Sequence, residues 1–417
     1  MTKPEKKALV PALRFPEFQN AGMWDENTFG GVATFINGRA YKQEELLDTG
    51  KYRVLRVGNF FSNNEWYYSD LELEDNKYCK NGDLLYAWSA SFGPRIWKEE
   101  KVIYHYHIWK VVENEGINKT FLFILLGYET ERMKSCSANG LGLMHITKGA
   151  IENWKCYLPK IDEQQKIADC LSSIDDLITA QTQKLAALKA HKKALMQQLF
   201  PAEGETVPEL RFPEFRDGAE WKEICLKELC ERIMDGTHFS PKTKDGSRMY
   251  LTSKNIQDGK ISLSNISYIS EEEHRAIYEK CPVKFNDVLL TKDGANTGNC
   301  ALNTINSEFS LLSSVAVIRG KSSLISQKFL YQTMLSDKTQ KTIKDSMSGQ
   351  AITRITLDKI GNFIISIPDQ KEQQKIADCL SSIDELITAQ SQKIEVLKSH
   401  KKGLMQQLFP SMDEVEV

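Results

Sequence analysis

The 417-residue chain lacks any apolar run long enough to cross a bilayer. Its longest, Phe121 to Leu126, falls far short of the roughly 20 residues a spanning helix needs. The lysines near Met1 are not followed by an apolar stretch, so no signal peptide is expected here. Cysteine is sparse and unpatterned: nine residues, an odd number, with no Cys-x-x-Cys pair, Cys225 and Cys230 coming nearest. That spacing does not describe a zinc site, and reduced thiols in a cytoplasm are expected. Nucleotide-handling motifs are missing as well. There is no Gly-x-x-x-x-Gly-Lys-Ser/Thr loop for ATP and no Asn-Pro-Pro-Tyr-like tetrapeptide for amino methylation, and Gly140-Leu-Gly142 is too short for an S-adenosylmethionine loop. Two acid–lysine clusters, Asp75-Asn-Lys77 and Asp369-Gln-Lys371, are of a kind that arises by chance, and the second lies at a helix start. The chain also has no excess of positive charge. Its net charge of −2 opposes a protein that neutralises phosphates unaided, unless the positive charge is local or partners share the clamp.

What is present is a repeat. Residues 163–200 and 372–409 differ at only seven of 38 positions, among them Asp176 against Glu385 and Leu185 against Ile394. Each half also opens on the same lead-in, Val10 to Phe18 and Val207 to Phe215, followed by Trp24 and Trp221 at the same offset of 197. By the near-identical segments the offset has grown to 209, so the second intervening stretch is longer by a dozen residues. Within each segment apolar residues recur at alternating steps of four and three. The first seam runs through Ile167, Leu171, Ile174, Ile178, Gln181, Leu185 and Leu188; the second through Ile376, Leu380, Ile383, Ile387, Gln390, Ile394 and Leu397. Lys192 and Lys401 are further polar steps before Leu195, Leu199, Leu404 and Leu408. Such spacing predicts two coiled-coil helices, each roughly 55 Å long. Pro159 and Pro368 precede them, Asp162 with Gln165 and Asp369 with Glu372 are expected capping boxes, and Pro201 and Pro410 stop them. An antiparallel pair is expected, because Gln181 and Gln390 lie near the helix midpoints and would then meet and fix the register.

Two segments of matching outline but different content lie between the repeats. Tyr52 to Asn59 parallels Met249 to Asn255, Asp83 parallels Asp287 before a strand, and Phe121-Leu122 parallels Phe329-Leu330 at a helix head. Ile146, Thr147, Ile151 and Asn153 match Ile355, Thr356, Ile360 and Asn362. β-branched and aromatic runs bounded by Gly, Asn and Asp predict mixed α+β domains. The loops diverge. Arg, Lys, Asn and Ser/Thr on Gly-containing loops suit base-edge hydrogen bonds and phosphate contacts. On that basis the first segment offers Arg39, Tyr41, Lys42, Arg53, Arg56, Asn59, Trp88, Ser89, Ser91, Arg95, His105 and His107. The second offers Thr237, His238, Lys242, Lys244, Arg248, Lys254, Asn255, Lys292, Asn296, Thr297 and Asn299. From Thr237 to Lys260 five Lys/Arg face two Asp, a basic patch in an acidic chain. For any one of these residues a solvated loop is the commoner role. His105 and His107 have no evident third metal ligand, so no metal site is assigned.

The order of these strings resembles the specificity subunit of type I restriction–modification systems over nearly the whole chain. The resemblance rests on the repeated Glu-Gln-Gln-Lys-Ile helix starts, the Arg-Phe-Pro-Glu-Phe lead-ins, Asp235 to Pro241, Asp293 to Gly298 and Tyr86 to Pro94. It implies an α+β chain with two mixed α/β target recognition domains, separated by two long helices that form an antiparallel coiled coil with a pseudo-twofold internal repeat. The implied layout is residues 10–160 as the first recognition domain, 161–200 as the first conserved helix and 201–220 as a linker with the second lead-in. Residues 221–368 then form the second recognition domain, 369–410 the second helix and 411–417 an acidic tail. The resemblance further implies double-stranded DNA as ligand, two methylation subunits and two restriction/translocation subunits as partners, no membrane, and a cytoplasmic location. No cofactor is expected on this chain; S-adenosylmethionine, ATP and Mg are expected on the partners. Two readers on one face of a duplex sit about one helical turn apart, roughly 34 Å, a distance a long helix can set. Against this stand a self-contained restriction or modification enzyme and a coiled-coil scaffold whose domains bind proteins.

Overall fold

The computed structural model describes residues 10–61, 63–89, 91–137, 145–242, 245–257, 259–347 and 353–410, with the side chains of 91, 136 and 137 outside the description. The chain divides into two units, residues 1–181 with 393–417 and residues 182–392. The polypeptide thus leaves the first unit inside one long helix, Ile161–Leu199, and returns inside the other, Gln370–Leu408. No described helix is long and apolar enough to cross a membrane.

In unit 1, Asp25–Thr28 pairs antiparallel with Lys155–Leu158 and closes the domain behind its lead-in. A four-stranded antiparallel sheet follows, in the order Ala33–Asn37, Ile108–Glu113, Leu84–Ser89, Ser91–Ile96. A second sheet orders Tyr67–Ser69, Tyr52–Leu55, Val102–Tyr104 and Tyr78–Cys79, with its middle pair parallel. The central strand Leu84–Ser89 is apolar on both faces because both faces are covered. Leu84 and Tyr86 enter the core shared with the long helices, whereas Leu85 and Ala87 enter the core under the second sheet.

Unit 2 repeats the plan. Lys222–Cys225 pairs with Ile364–Ile367, and the main sheet runs Cys230–Asp235, Val315–Gly320, Val288–Thr291, Cys300–Leu302. Its second sheet orders Ser267–Ile269, Arg248–Leu251 and Ser310–Leu311, again with a parallel pair. Val288 and Leu290 face one core, Leu289 the other. Two details depart from the sequence outline. The helix Lys119–Ser137 of unit 1 corresponds to two helices in unit 2, Gln327–Leu335 and Asp337–Ser346, divided at Ser336, whose hydroxyl caps the second. The strand from Tyr52 stops at Leu55, and Asn59 belongs to a helical turn, Val57–Phe61.

The seam is where the spacing put it. No seam position from Ile167 to Leu188 or from Ile376 to Leu397 is exposed, Gln390 is buried, and Leu177, Leu386 and Val396 off the seam face water. Within unit 1, Ile167 and Leu171 share a core with Leu408 and Phe409, and the Lys401 ammonium lies 2.6 Å from Asp175. Within unit 2, Leu199 shares a core with Ile376 and Leu380, and Lys192 lies 2.7 Å from Asp384. In both units the head of one helix therefore meets the tail of the other, which is antiparallel pairing. The two polar seam lysines are accommodated because each reaches an aspartate on the facing helix.

The caps correct the sequence reading. Asp369 does cap its helix, its carboxylate accepting the Lys371 and Glu372 N–H groups at 2.8 and 3.1 Å. Asp162 does not: the first helix begins at Ile161, two residues before the start that an Asp162 cap requires, and Lys160 occupies the position equivalent to Asp369. Glu372 completes no capping box either, because its carboxylate is committed to Arg211.

That pair belongs to a joint built the same way in both units. The lead-in Arg14 grips Glu163 through Nε and Nη2 at 2.7 and 2.6 Å, as Arg211 grips Glu372 at 2.8 and 2.7 Å. Each glutamate is 1% exposed, so the bidentate geometry offsets a desolvation that neither charge would survive singly. Lys166 meets Glu17 and Lys375 meets Glu214. The lead-in also holds the opposite helix end, with Leu13 N–H on the Gln407 carbonyl and Leu210 N–H on that of Gln198, both at 2.9 Å. Gln164 and Gln373 accept the backbone N–H of Asn118 and Ser326 at 2.9 Å, tying the helix starts to the domains. Trp24 packs edge-on against Phe409, and Trp221 against Phe200. The strongly repeated residues are the fastenings of this joint.

Candidate nucleic-acid interface

The C-terminal end of each central strand is held by the same backbone pattern. In unit 1 Trp88 N–H donates to the His107 carbonyl and the Trp88 carbonyl accepts from Ile146. In unit 2 Lys292 N–H donates to Ser314 and the Lys292 carbonyl accepts from Ile355. Bridges from Ser89 to His145 and from Asp293 to Arg354 complete the match. Beside each strand end a loop lies against the second sheet at a glycine. A Cβ on Gly38 would collide with the Tyr104 and His105 carbonyls, and one on Gly236 with the Leu311 carbonyl. Glycine is required there by close approach. Arg39 N–H then bonds to Tyr104 and Thr237 N–H to Leu311. Trp88 thus corresponds to Lys292, His107 to Ser314, His145 to Arg354, and Arg39 to Thr237.

On this common frame unit 1 carries rings. Trp88 lies 4.9 Å from His107, 6.0 Å from Tyr106 and 6.1 Å from His145 between centroids, and its indole N–H donates to the Tyr106 carbonyl. Tyr106 is exposed above His105 and His107. Burial, then His107 and Arg56, push the His105 imidazole down to about 4, and burial with His145 lowers His107. Both are neutral at pH 7, so the cluster offers aromatic faces and neutral ring nitrogens. The arginines are held against rings or acids. Arg39 makes a bidentate pair with Glu45 and lies 5.2 Å over Tyr41, Arg53 lies over Trp66, and Arg56 lies over Tyr67. Arg95 is exposed and donates to the Phe60 carbonyl. Lys42 is exposed beside Glu44, and Ser89 is buried. The Ser91 side chain lies outside the described residues.

Unit 2 carries charge. Lys292 is 2% exposed, with its ammonium 3.2 Å from both Asp235 and Asp293. Arg354 meets Asp293 at 3.2 Å, and His238 stands 3.5 Å from Asp235. The hairpin beyond Lys292 turns at Gly294 and Gly298, both at positive φ, and exposes Asn296 at its tip. Thr297 and Asn299 donate to the Gly294 and Ile256 carbonyls. Arg248 pairs with Glu271, while Lys242 and Lys254 are exposed. Lys244 lies outside the described residues.

The frame brings together Arg39, Tyr41, Trp88, His105 and His107 in one unit, and Thr237, His238 and Lys292 in the other. It encloses others. Asn59 is buried, its amide donating to the Asn63 and Glu65 carbonyls, and Asn255 is buried, bonded to Thr252 and Ser262. These two amides hold loops, and neither is presented to solvent. Sequence reasoning passed over Tyr106, His145 and Arg354. The last two stand just before the matched Ile146 and Ile355, where the copies differ, and that contrast was the available signal.

The family model for the type I restriction modification DNA specificity domain matches residues 22–190 and again 218–399. Over 337 residues the chain is 27% identical to the type I restriction enzyme MjaVIII specificity subunit of Methanocaldococcus jannaschii, covering 78% of each protein. It is 23% identical over 202 residues to the HindI specificity subunit of Haemophilus influenzae, 47% of this chain and 42% of that one. Its fold is similar to that of a type I restriction–modification S subunit from M. genitalium, with a TM-score of 0.61 at 15% identity, covering 97% of this chain and all of the other. It is also similar to a chain solved in work on the complex assembly of the type I R-M system, with a TM-score of 0.52 at 17% identity, covering 93% and 98%.

Proposed function

The chain belongs to the type I restriction modification DNA specificity family and carries its domain twice, and from that premise we propose that it reads a bipartite, asymmetric site on double-stranded DNA. One half is read by residues 10–160 and the other by residues 221–368. The observation that supports this is the contrast at the strand ends: one backbone frame, used twice, presents rings in one copy and a lysine–aspartate network in the other. Identical readers would give a symmetric site; these give an asymmetric one. Base-edge and backbone contacts from the exposed polar groups add register and affinity. The paired helices set a fixed gap and receive two methylation and two restriction/translocation subunits in the cytoplasm. Those partners share the phosphate clamp, which reconciles DNA binding with a net charge of −2. Catalysis lies with the partners, which hold S-adenosylmethionine, ATP and Mg.

The test is methylation-site mapping by long-read sequencing in a host expressing the chain with its partners. The expected outcome is a two-part motif with a constant gap. Methylation or cleavage by the purified chain without partners would establish a self-contained enzyme. Full assembly without any sequence preference would establish a scaffold.

A further inference from the structure

The loop from Asp235 to Lys242 carries near its middle a side chain that takes no part in the strand-end network. Phe239 is 82% exposed, more than any other large hydrophobic residue among the described residues. A single exposed apolar side chain is ordinary in itself; the way this one is held is what matters. The loop is fastened on both sides of the ring. Asp235 pairs with Lys292, Gly236 lies against Leu311, and Thr237 exchanges backbone hydrogen bonds with Leu311 and Ser313 at 2.8 and 2.9 Å. The Thr237 hydroxyl accepts from Phe239 N–H at 3.2 Å, and Lys242 N–H donates to Glu273 at 2.7 Å. Phe239 therefore stands on a loop already tied down, beside the residues placed in the reading end of unit 2.

The equivalent position in unit 1 shows what such a ring does when its partner is supplied internally. Gly38 corresponds to Gly236, so Tyr41 corresponds to Phe239. Tyr41 is folded in, with the Arg39 guanidinium 5.2 Å over its face and the His105 ring stacked at 6.3 Å. In unit 2 both covering groups are gone: Thr237 replaces Arg39 and Leu312 replaces His105. Among the described residues no ring or cation stacks on Phe239. We propose that Phe239 is an aromatic wedge that stacks on, or inserts between, base pairs of the half-site read by unit 2. A phenyl ring offers no hydrogen bond, so its contribution to specificity is indirect: it favours a step that unstacks easily, such as a pyrimidine–purine step. His238 and Lys242 on the same loop are exposed and suited to the neighbouring phosphates.

This inference rests on the DNA-reading proposal, and the experiment separates the two. The full chain, assembled with its methylation partners, is titrated into duplexes carrying the mapped motif, with 2-aminopurine placed at each position of the unit 2 half in turn. Wild type is expected to raise 2-aminopurine fluorescence at one step, the sign of unstacking. Phe239→Ala is expected to abolish that signal and weaken binding about tenfold, with discrimination in the unit 1 half unchanged; Phe239→Trp is expected to keep both. If Phe239→Ala binds as wild type and leaves the signal intact, the wedge is wrong and the reading proposal stands. If Phe239→Ala instead disrupts assembly in the absence of DNA, the ring is a protein contact. If wild type shows no preference for the motif duplex, both proposals fall together.

Discussion

The two units are built on one backbone and finished with opposite chemistry. Unit 1 ends its central strand in Trp88, ringed by Tyr106, His107 and His145. Unit 2 ends the same strand in Lys292, enclosed by Asp235 and Asp293 with Arg354 alongside. The backbone hydrogen bonds at these positions are nearly interchangeable, so the contrast is not a consequence of a different fold. It is possible because the strand end is not where the domain obtains its stability. That comes from apolar cores on both faces of the sheet and from the joint with the long helices. A frame stabilised elsewhere can carry rings or charges at its rim.

The comparison breaks most severely if the joint is opened. Arg211→Ala leaves Glu372 buried without its partner, an expected loss of about 3 kcal/mol. Hydrogen exchange should show that loss in residues 221–368, with residues 22–160 retaining their protection; equal loss in both would mean that the units are not separately fastened. A sharper test is Lys292→Met, which removes the cation between two aspartates at an expected cost of about 2 kcal/mol. DNA selection should then show the unit 2 half-site degraded and the unit 1 half-site intact. Degradation of both halves would contradict independent readers. The smallest effect is on pH dependence. The folded state holds His105 at about 4 against an ordinary 6.5, so the unfolded chain binds the extra proton more readily. The stabilisation is present above pH 6.5 and is lost as pH falls from there towards 4. Because the ring is only partly buried, the expected effect is modest. Between pH 7.5 and 5, wild type should lose about 2 °C more in Tm than His105→Gln, with the extra loss confined to unit 1.

Much of the fold was legible because its signals are local or repeated. The four-three spacing reports a helix seam whatever lies on the other side, and the shared lead-ins mark both domain starts. Matched pairs such as Asp83 with Asp287 and Phe121 with Phe329 fixed the correspondence between halves before any contact was known. The site was less legible, because the same residue type serves inside and outside. Asn59 and Asn255 read as loop amides available to a base, yet backbone carbonyls of their own loops, at Asn63, Glu65 and Ser262, fold them inward. Lys292 read as an exposed cation, and only the return of Asp235 beside it shows that it is enclosed. Capping failed for a related reason: Asp162 has the right type, but the first helix starts at Ile161, two residues too early to use it.

The joint has one more consequence. Its fastenings, Arg14 with Glu163 and Arg211 with Glu372, the lead-in N–H groups on the far helix ends, and Gln164 and Gln373 on the domain helices, all lie in or beside the repeated segments. The stretch between Trp24 and Pro159, or between Trp221 and Pro368, meets the rest of its unit largely through these shared fastenings, to which unit 2 adds Gln332 with Asp384 and Gln197 with Asp337. A segment exchanged between those marks keeps the part of its anchorage that the repeated residues supply. The loops between those marks can therefore differ without a compensating change in the fastenings the two units share.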